Sequence, residues 1–88
     1  MSDDQLWLDG NALAGLLAEV FGTEMTAAPR RCQSCGTRSA IGAHRAYRAA
    51  GAVLRCPVCG DVALRIASLR DRHVVRLSGE WTLDLPRG

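Results

Sequence analysis

The chain has 88 residues, 48% of them apolar and 23% charged, a balance that excludes compositional disorder, collagen-like repeats and low-complexity sequence and predicts one domain over residues 1–88. No apolar run approaches the roughly 20 residues of a membrane-spanning helix, and Met1-Ser2-Asp3-Asp4 is acidic where a secretory signal is basic. A cytoplasmic protein is therefore expected, with no membrane partner. The net charge of +2 conceals a dipole: residues 1–29 sum to −5 without a base, and residues 30–88 sum to +7 with eleven Arg and no Lys.

In chain order, the first predicted element is a helix from about Gly10 to Phe21. Leu13, Leu16, Leu17, Val20 and Phe21 recur at the spacing that makes one stripe of a 3.6-residue helix. Asp9 suits the N-cap, Leu8 is placed to staple onto Leu13, and Gly22 suits the C′ position. Asn11, Gly15, Ala18 and Glu19 form the polar or small face. About a dozen residues are marginal for an isolated helix in water, so the stripe must be buried. The expected cover is the apolar face of a carboxyl-terminal meander in the same chain: Val62, Leu64, Ile66, Val75, Leu77 and Leu83. A homodimer that pairs two such stripes is the competing arrangement.

Near Thr26-Ala27-Ala28-Pro29 the texture changes to short runs of period two. Arg45 to Ala49 and Ala52 to Arg55, flanking Ala50-Gly51, suggest a hairpin. Val62 to Ala67, His73 to Leu77 and Trp81 to Leu85 read as a three-stranded antiparallel meander, divided by Arg70-Asp71-Arg72 and Ser78-Gly79-Glu80. The end, Pro86-Arg87-Gly88, is expected to fray. The fold class is thus a small metal-stabilised α+β protein. Residues 1–29 form a helical segment that packs on an antiparallel ribbon with an extended meander over residues 30–88.

The chemistry resides in Cys32-Gln33-Ser34-Cys35-Gly36 and Cys56-Pro57-Val58-Cys59-Gly60. Two Cys-x-x-Cys pairs separated by residues 36–55 have the spacing of a four-thiolate zinc site. A two-residue gap lets one tight turn present both sulfurs to the same ion. Glycine after the second cysteine permits the positive φ of that turn, and Pro57 pre-sets it. A closed set of four thiolates leaves no position for water, so one structural zinc per chain on Cys32, Cys35, Cys56 and Cys59 is expected. In a reducing cytosol such cysteines are ligands rather than disulfides.

These residues resemble the zinc-ribbon (rubredoxin-like) fold group, in which two Cys-x-x-Cys-Gly knuckles at the tips of two hairpins clamp one zinc. The resemblance covers about residues 30–66 and implies Cys32, Cys35, Cys56 and Cys59 as ligands and Gly36 and Gly60 as knuckle glycines. Over nearly the whole chain, the Asp-Gly-Asn-Ala helix start, Phe-Gly, Met-Thr-Ala-Ala, Arg-Cys-x-x-Cys-Gly and Arg-Cys-Pro-x-Cys are similar to a family of small actinobacterial proteins of unknown function. That likeness implies no activity.

No Ser-His-Asp set, Gly-rich phosphate loop or paired carboxylates are visible, so the chain reads as no enzyme, with no small-molecule substrate. His44 and His73 read as surface or strand histidines, and Trp7, Phe21 and Trp81 as core or core-edge residues. Tyr47 is the exception: it stands between Arg45 and Arg48, and Arg38 and Arg55 lie in the same inter-knuckle segment. If these arginines share one hairpin face, they form a positive patch around a stacking ring suited to single-stranded nucleic acid. The expected function is a non-catalytic interaction module that binds a protein or a nucleic acid. The alternative is a thiol-redox or zinc-responsive switch in which oxidation ejects zinc, with Arg30-Arg31 activating the first knuckle.

Overall fold

A computed structural model describes residues 7–48 and 51–84. Ala49, Ala50, Leu85, the end Pro86-Arg87-Gly88 and the acidic start Met1-Ser2-Asp3-Asp4 lie outside the described residues, and so do the expectations placed on them, fraying of the end included. Among the described residues there are eight strands, β1 Leu8–Asp9, β2 Pro29–Arg31, β3 Arg38–Ala40, β4 Arg45–Arg48, β5 Gly51–Arg55, β6 Val62–Ser68, β7 His73–Leu77 and β8 Glu80–Trp81, and one α-helix, α1 Ala14–Phe21. All strand pairs are antiparallel, in a larger sheet of order β1-β4-β5-β6-β7 and a smaller one of order β3-β2-β8.

The helix begins differently from its expected form. Residues Gly10–Leu13 wind as a 3₁₀ turn, and the α geometry starts only at Ala14. Asp9 caps the turn by accepting from the Asn11 amide at 3.1 Å. Gly22, at φ 75°, closes the helix by donating to the Ala18 carbonyl at 2.8 Å. Gly10 sits so close to a second 3₁₀ turn, Ile41–Ala43, that a Cβ would lie 2.0 Å from the Ile41 carbonyl oxygen. Leu8, in β1, pairs with Ala46 of β4 and is 48% exposed.

The stripe is buried within the chain. Leu13 and Leu17 enter one cluster with Met25, Ile41, Ala46, Ala52, Leu54, Ala63, Leu64 and Ile66, and Leu16, Val20, Phe21, Val75, Trp81 and Leu83 pack against it. At roughly 1.5–3 kcal/mol per large side chain fully buried, this burial holds the helix to the sheet. Two residues of the expected covering face do not take part: Val62 is only half-buried, and Leu77 at the rim is 48% exposed. The alternation fails at Ala63 because the β5–β6 register slips there: Leu54 opposes Leu64 but Arg55 opposes Val62. This bulge turns Ala63 and Leu64 both inward.

The predicted three-stranded meander is corrected in its last strand. β6 and β7 pair, but the chain then leaves the larger sheet at Ser78-Gly79, and Trp81 of β8 pairs with Arg30 of β2. The hinge is Ser78. Its amide donates to the Ala63 carbonyl at 3.0 Å and its hydroxyl to the Val62 carbonyl at 2.6 Å, which fastens it to the bulge. Trp81 then lies on Phe21, with centroids 6.3 Å apart, and donates its indole N–H to the Ser78 carbonyl at 2.8 Å.

Candidate metal centre

The paired cysteines fold into two near-identical turns. In the first, between β2 and β3, the Cys32 amide donates to the Thr37 carbonyl at 2.9 Å, the Gly36 amide to the Cys32 carbonyl at 3.0 Å, and the Ser34 amide to the Cys32 sulfur at 3.4 Å. In the second, between β5 and β6, the Cys56 amide donates to the Asp61 carbonyl at 2.8 Å, the Gly60 amide to the Cys56 carbonyl at 3.0 Å, and the Val58 amide to the Cys56 sulfur at 3.4 Å. Gly36 and Gly60 have φ of 76° and 81°, the left-handed conformation that the turns require.

The two turns bring all four sulfurs within 4.8 Å of one another. Cys32 Sγ lies 3.6 Å from Cys59 Sγ, and Cys35 Sγ lies 3.7 Å from Cys56 Sγ. Those separations are far beyond the roughly 2 Å of a disulfide. Each turn buries its first cysteine and exposes its second. Asp61 joins the turns, accepting from the Ser34 hydroxyl at 2.8 Å and the Gln33 amide nitrogen at 3.4 Å, bonds that hold its carboxyl below the usual range.

The surroundings of the four thiols are unequal. The Cys35 and Ser34 amides draw the Cys32 thiol down to about 6. The Thr37 hydroxyl and amide lower Cys35. At Cys59 the Asp61 amide also favours the thiolate, but burial and the three neighbouring sulfurs outweigh it and push the thiol up to about 12. One small volume thus ionises its first sulfur easily and resists ionising its last, as expected where like charges meet without a counter-ion. Four soft sulfurs converging in this way can hold a metal ion.

The other predicted site residues are dispersed. Arg38 stands on β3 in the smaller sheet, away from the β4–β5 hairpin. Arg48 opposes Ala52, at the end of the inward-facing row that holds Ala46. Arg45, Tyr47 and Arg55 do share the outer face of that hairpin. The Arg55 guanidinium lies 5.8 Å from the Tyr47 ring centre and donates to the Gly60 carbonyl at 3.0 Å. His73, on β7, meets Glu19 at 3.1 Å and the Ser68 hydroxyl at 3.0 Å.

Sequence reasoning missed one pair beside the cluster. Arg30 and His44, read as a basic neighbour of the knuckle and a surface or strand residue, are each 1% exposed. Arg30 donates through Nε to the Ser78 carbonyl at 3.0 Å and through Nη2 to the Ser78 hydroxyl at 3.1 Å, and its Nη1 faces His44 Nε2 at 3.3 Å. His44 Nδ1 donates to the Ala40 carbonyl at 2.9 Å, which leaves Nε2 as the acceptor for Arg30. Burial holds the imidazole below its ordinary value, the Ala40 bond opposes this, and the Arg30 charge adds to it. The signal was present in the period of two: adjacent residues of β2 face opposite ways, so one of Arg30 and Arg31 had to point inward.

Among the described residues, no helix is long and apolar enough to cross a membrane. Residues 2–88 match a family of unknown function (DUF6510), and the chain belongs to that family. No curated protein and no solved structure matches the chain.

Proposed function

We propose that the chain is a zinc-ribbon interaction module, without catalytic activity, in which Cys32, Cys35, Cys56 and Cys59 hold one structural zinc and the arginine-bearing strands bind a protein or nucleic acid. The observation that carries the metal reading is the spacing of the sulfurs. Tetrahedral zinc with ligands at about 2.3 Å requires neighbouring sulfurs about 3.8 Å apart; the two pairs here stand at 3.6 and 3.7 Å. Two cysteine turns at the tips of two hairpins agree with a ribbon. Four thiolates fill the coordination shell, which leaves no place for an activated water and favours a staple over a Lewis acid. Four free thiols also suit a reducing compartment, the cytoplasm.

A thiol-redox switch is the competing use of the same sulfurs. It would be favoured by one exposed knuckle and one protected knuckle, whereas each turn here has one buried and one exposed cysteine. Elemental analysis of protein purified under reducing conditions tests the metal reading. One zinc per chain is expected, and its loss in Cys56→Ser. Protein without zinc, or full occupancy in Cys56→Ser, would overturn it.

A further inference from the structure

The larger sheet has two unlike faces. One is covered by the cluster that receives Leu13 and Leu17 of the helical segment. Across the other, the register sets Arg45 opposite Arg55, Tyr47 opposite Val53, Val53 opposite Arg65, and Arg65 opposite Arg76. Four strands thus place four arginines on one face, in two cross-strand pairs of like charge. Such pairs destabilise a sheet, and folding alone gives no reason for them. Among the described residues none of these arginines has a carboxylate within ion-pair distance. The one acid in register with them, Asp9 opposite Arg45, is occupied in capping Asn11.

The face also carries flat rings. The Arg45 guanidinium lies 5.2 Å from the Trp7 ring centre, and Arg55 stacks near Tyr47. Beside Tyr47 is a shallow apolar recess of about 250 Å³, lined by Gly51, Val53, Arg65 and Ala67 among others. A row of cations suits a chain of phosphates, and a half-buried ring beside an apolar recess suits an unpaired base. A recess beside a ring, next to a row of arginines, offers a place for a splayed base that a paired duplex does not present.

We propose that the outer face of the five-stranded sheet binds single-stranded nucleic acid, with Arg45, Arg55, Arg65 and Arg76 on the phosphates and Tyr47 under a base. This narrows the reading of the chain as a metal-stapled interaction module and rests on it. The set differs from the one suggested by sequence: Arg38 and Arg48 are absent from the face, and Arg65 and Arg76 complete it.

The test is titration of the full, metal-loaded chain with a labelled oligothymidylate of about twelve nucleotides at low and physiological salt. Three or four phosphate contacts predict a log-log salt slope of about −2 to −3. The double variant Arg65→Ala/Arg76→Ala should bind at least tenfold more weakly, with a slope shallower by about 1.4. Arg31→Ala/Arg38→Ala, which removes the same charge from the smaller sheet, should change affinity less than twofold. Tyr47→Ala should weaken binding and Tyr47→Phe restore it. A metal-loaded chain that ignores the oligonucleotide at low salt would overturn this inference and leave the module reading standing. So would equal losses in the two double variants, or equal binding of a duplex or polyglutamate. A preparation without metal would overturn the module reading, and this one with it.

Discussion

The two cysteine turns repeat one backbone design on unequal foundations. Their matching hydrogen bonds differ by no more than 0.1 Å, yet β2 and β3 behind the first have three residues each, whereas β5 and β6 behind the second have five and seven. The second turn crowns the middle of the larger sheet. The first depends on β8 from the far end of the chain and on the buried Arg30, which ties β2 to Ser78 and His44. Local sequence is enough to shape a cysteine turn; what steadies it comes from tertiary contacts that need not be alike.

Removing the metal should separate the two most sharply. A structural zinc contributes on the order of 10 kcal/mol, comparable to the whole stability of a small domain. In the presence of a strong chelator, amides of residues 30–40 and 80–81 should lose hydrogen-exchange protection at lower urea than those of residues 51–55 and 62–68. Simultaneous loss in both regions would break the comparison. A smaller effect is expected from Arg30→Ala, which leaves His44 Nε2 and the Ser78 hydroxyl without the donor that Arg30 supplies and leaves the Ser78 carbonyl with the Trp81 indole alone. It should cost about 2–3 kcal/mol in urea unfolding, whereas Arg31→Ala, one residue along and exposed, should cost under about 0.5 kcal/mol. Similar costs would mean that the inward arginine does not hold the first turn.

The smallest effect is a pH dependence. Folding lowers the His44 pKa from its ordinary 6.5. The unfolded chain therefore binds more protons as pH falls through 6.5, and stability declines there, by at most about 1.4 kcal/mol per pH unit. Above that range the contribution is complete. His44→Gln should flatten the stability profile of the metal-loaded protein between about pH 7.5 and 5.5. An unchanged profile would assign the acid sensitivity to other groups.

Much of this was legible in the residues. Asp9 and Gly22 announced the two ends of the helical segment because caps are read from a few neighbours, and the paired cysteines announced a cluster because two-residue spacing fixes a turn. The strands at 45–48, 51–55, 62–68 and 73–77 followed from composition and period. What period cannot give is the partner of a strand. Trp81 looked like the next strand of a meander, but the slipped register at Ala63 offered its carbonyl to the Ser78 amide, and the chain was drawn off to β2. The same limit hid the row of arginines on the larger sheet. Arg65 and Arg76 are eleven residues apart in sequence and become neighbours only through register.

The crossing at Ser78 also sets an order of assembly. β5 and β6 are joined by a short turn, so the hairpin bearing Cys56 and Cys59 closes over little chain. The sheet behind Cys32 closes only when β8 reaches β2, across some fifty intervening residues. Closing long loops costs entropy and slows folding. Both cysteine hairpins therefore form over little chain, but the first gains the support of β8 only after the strands of the larger sheet have been made.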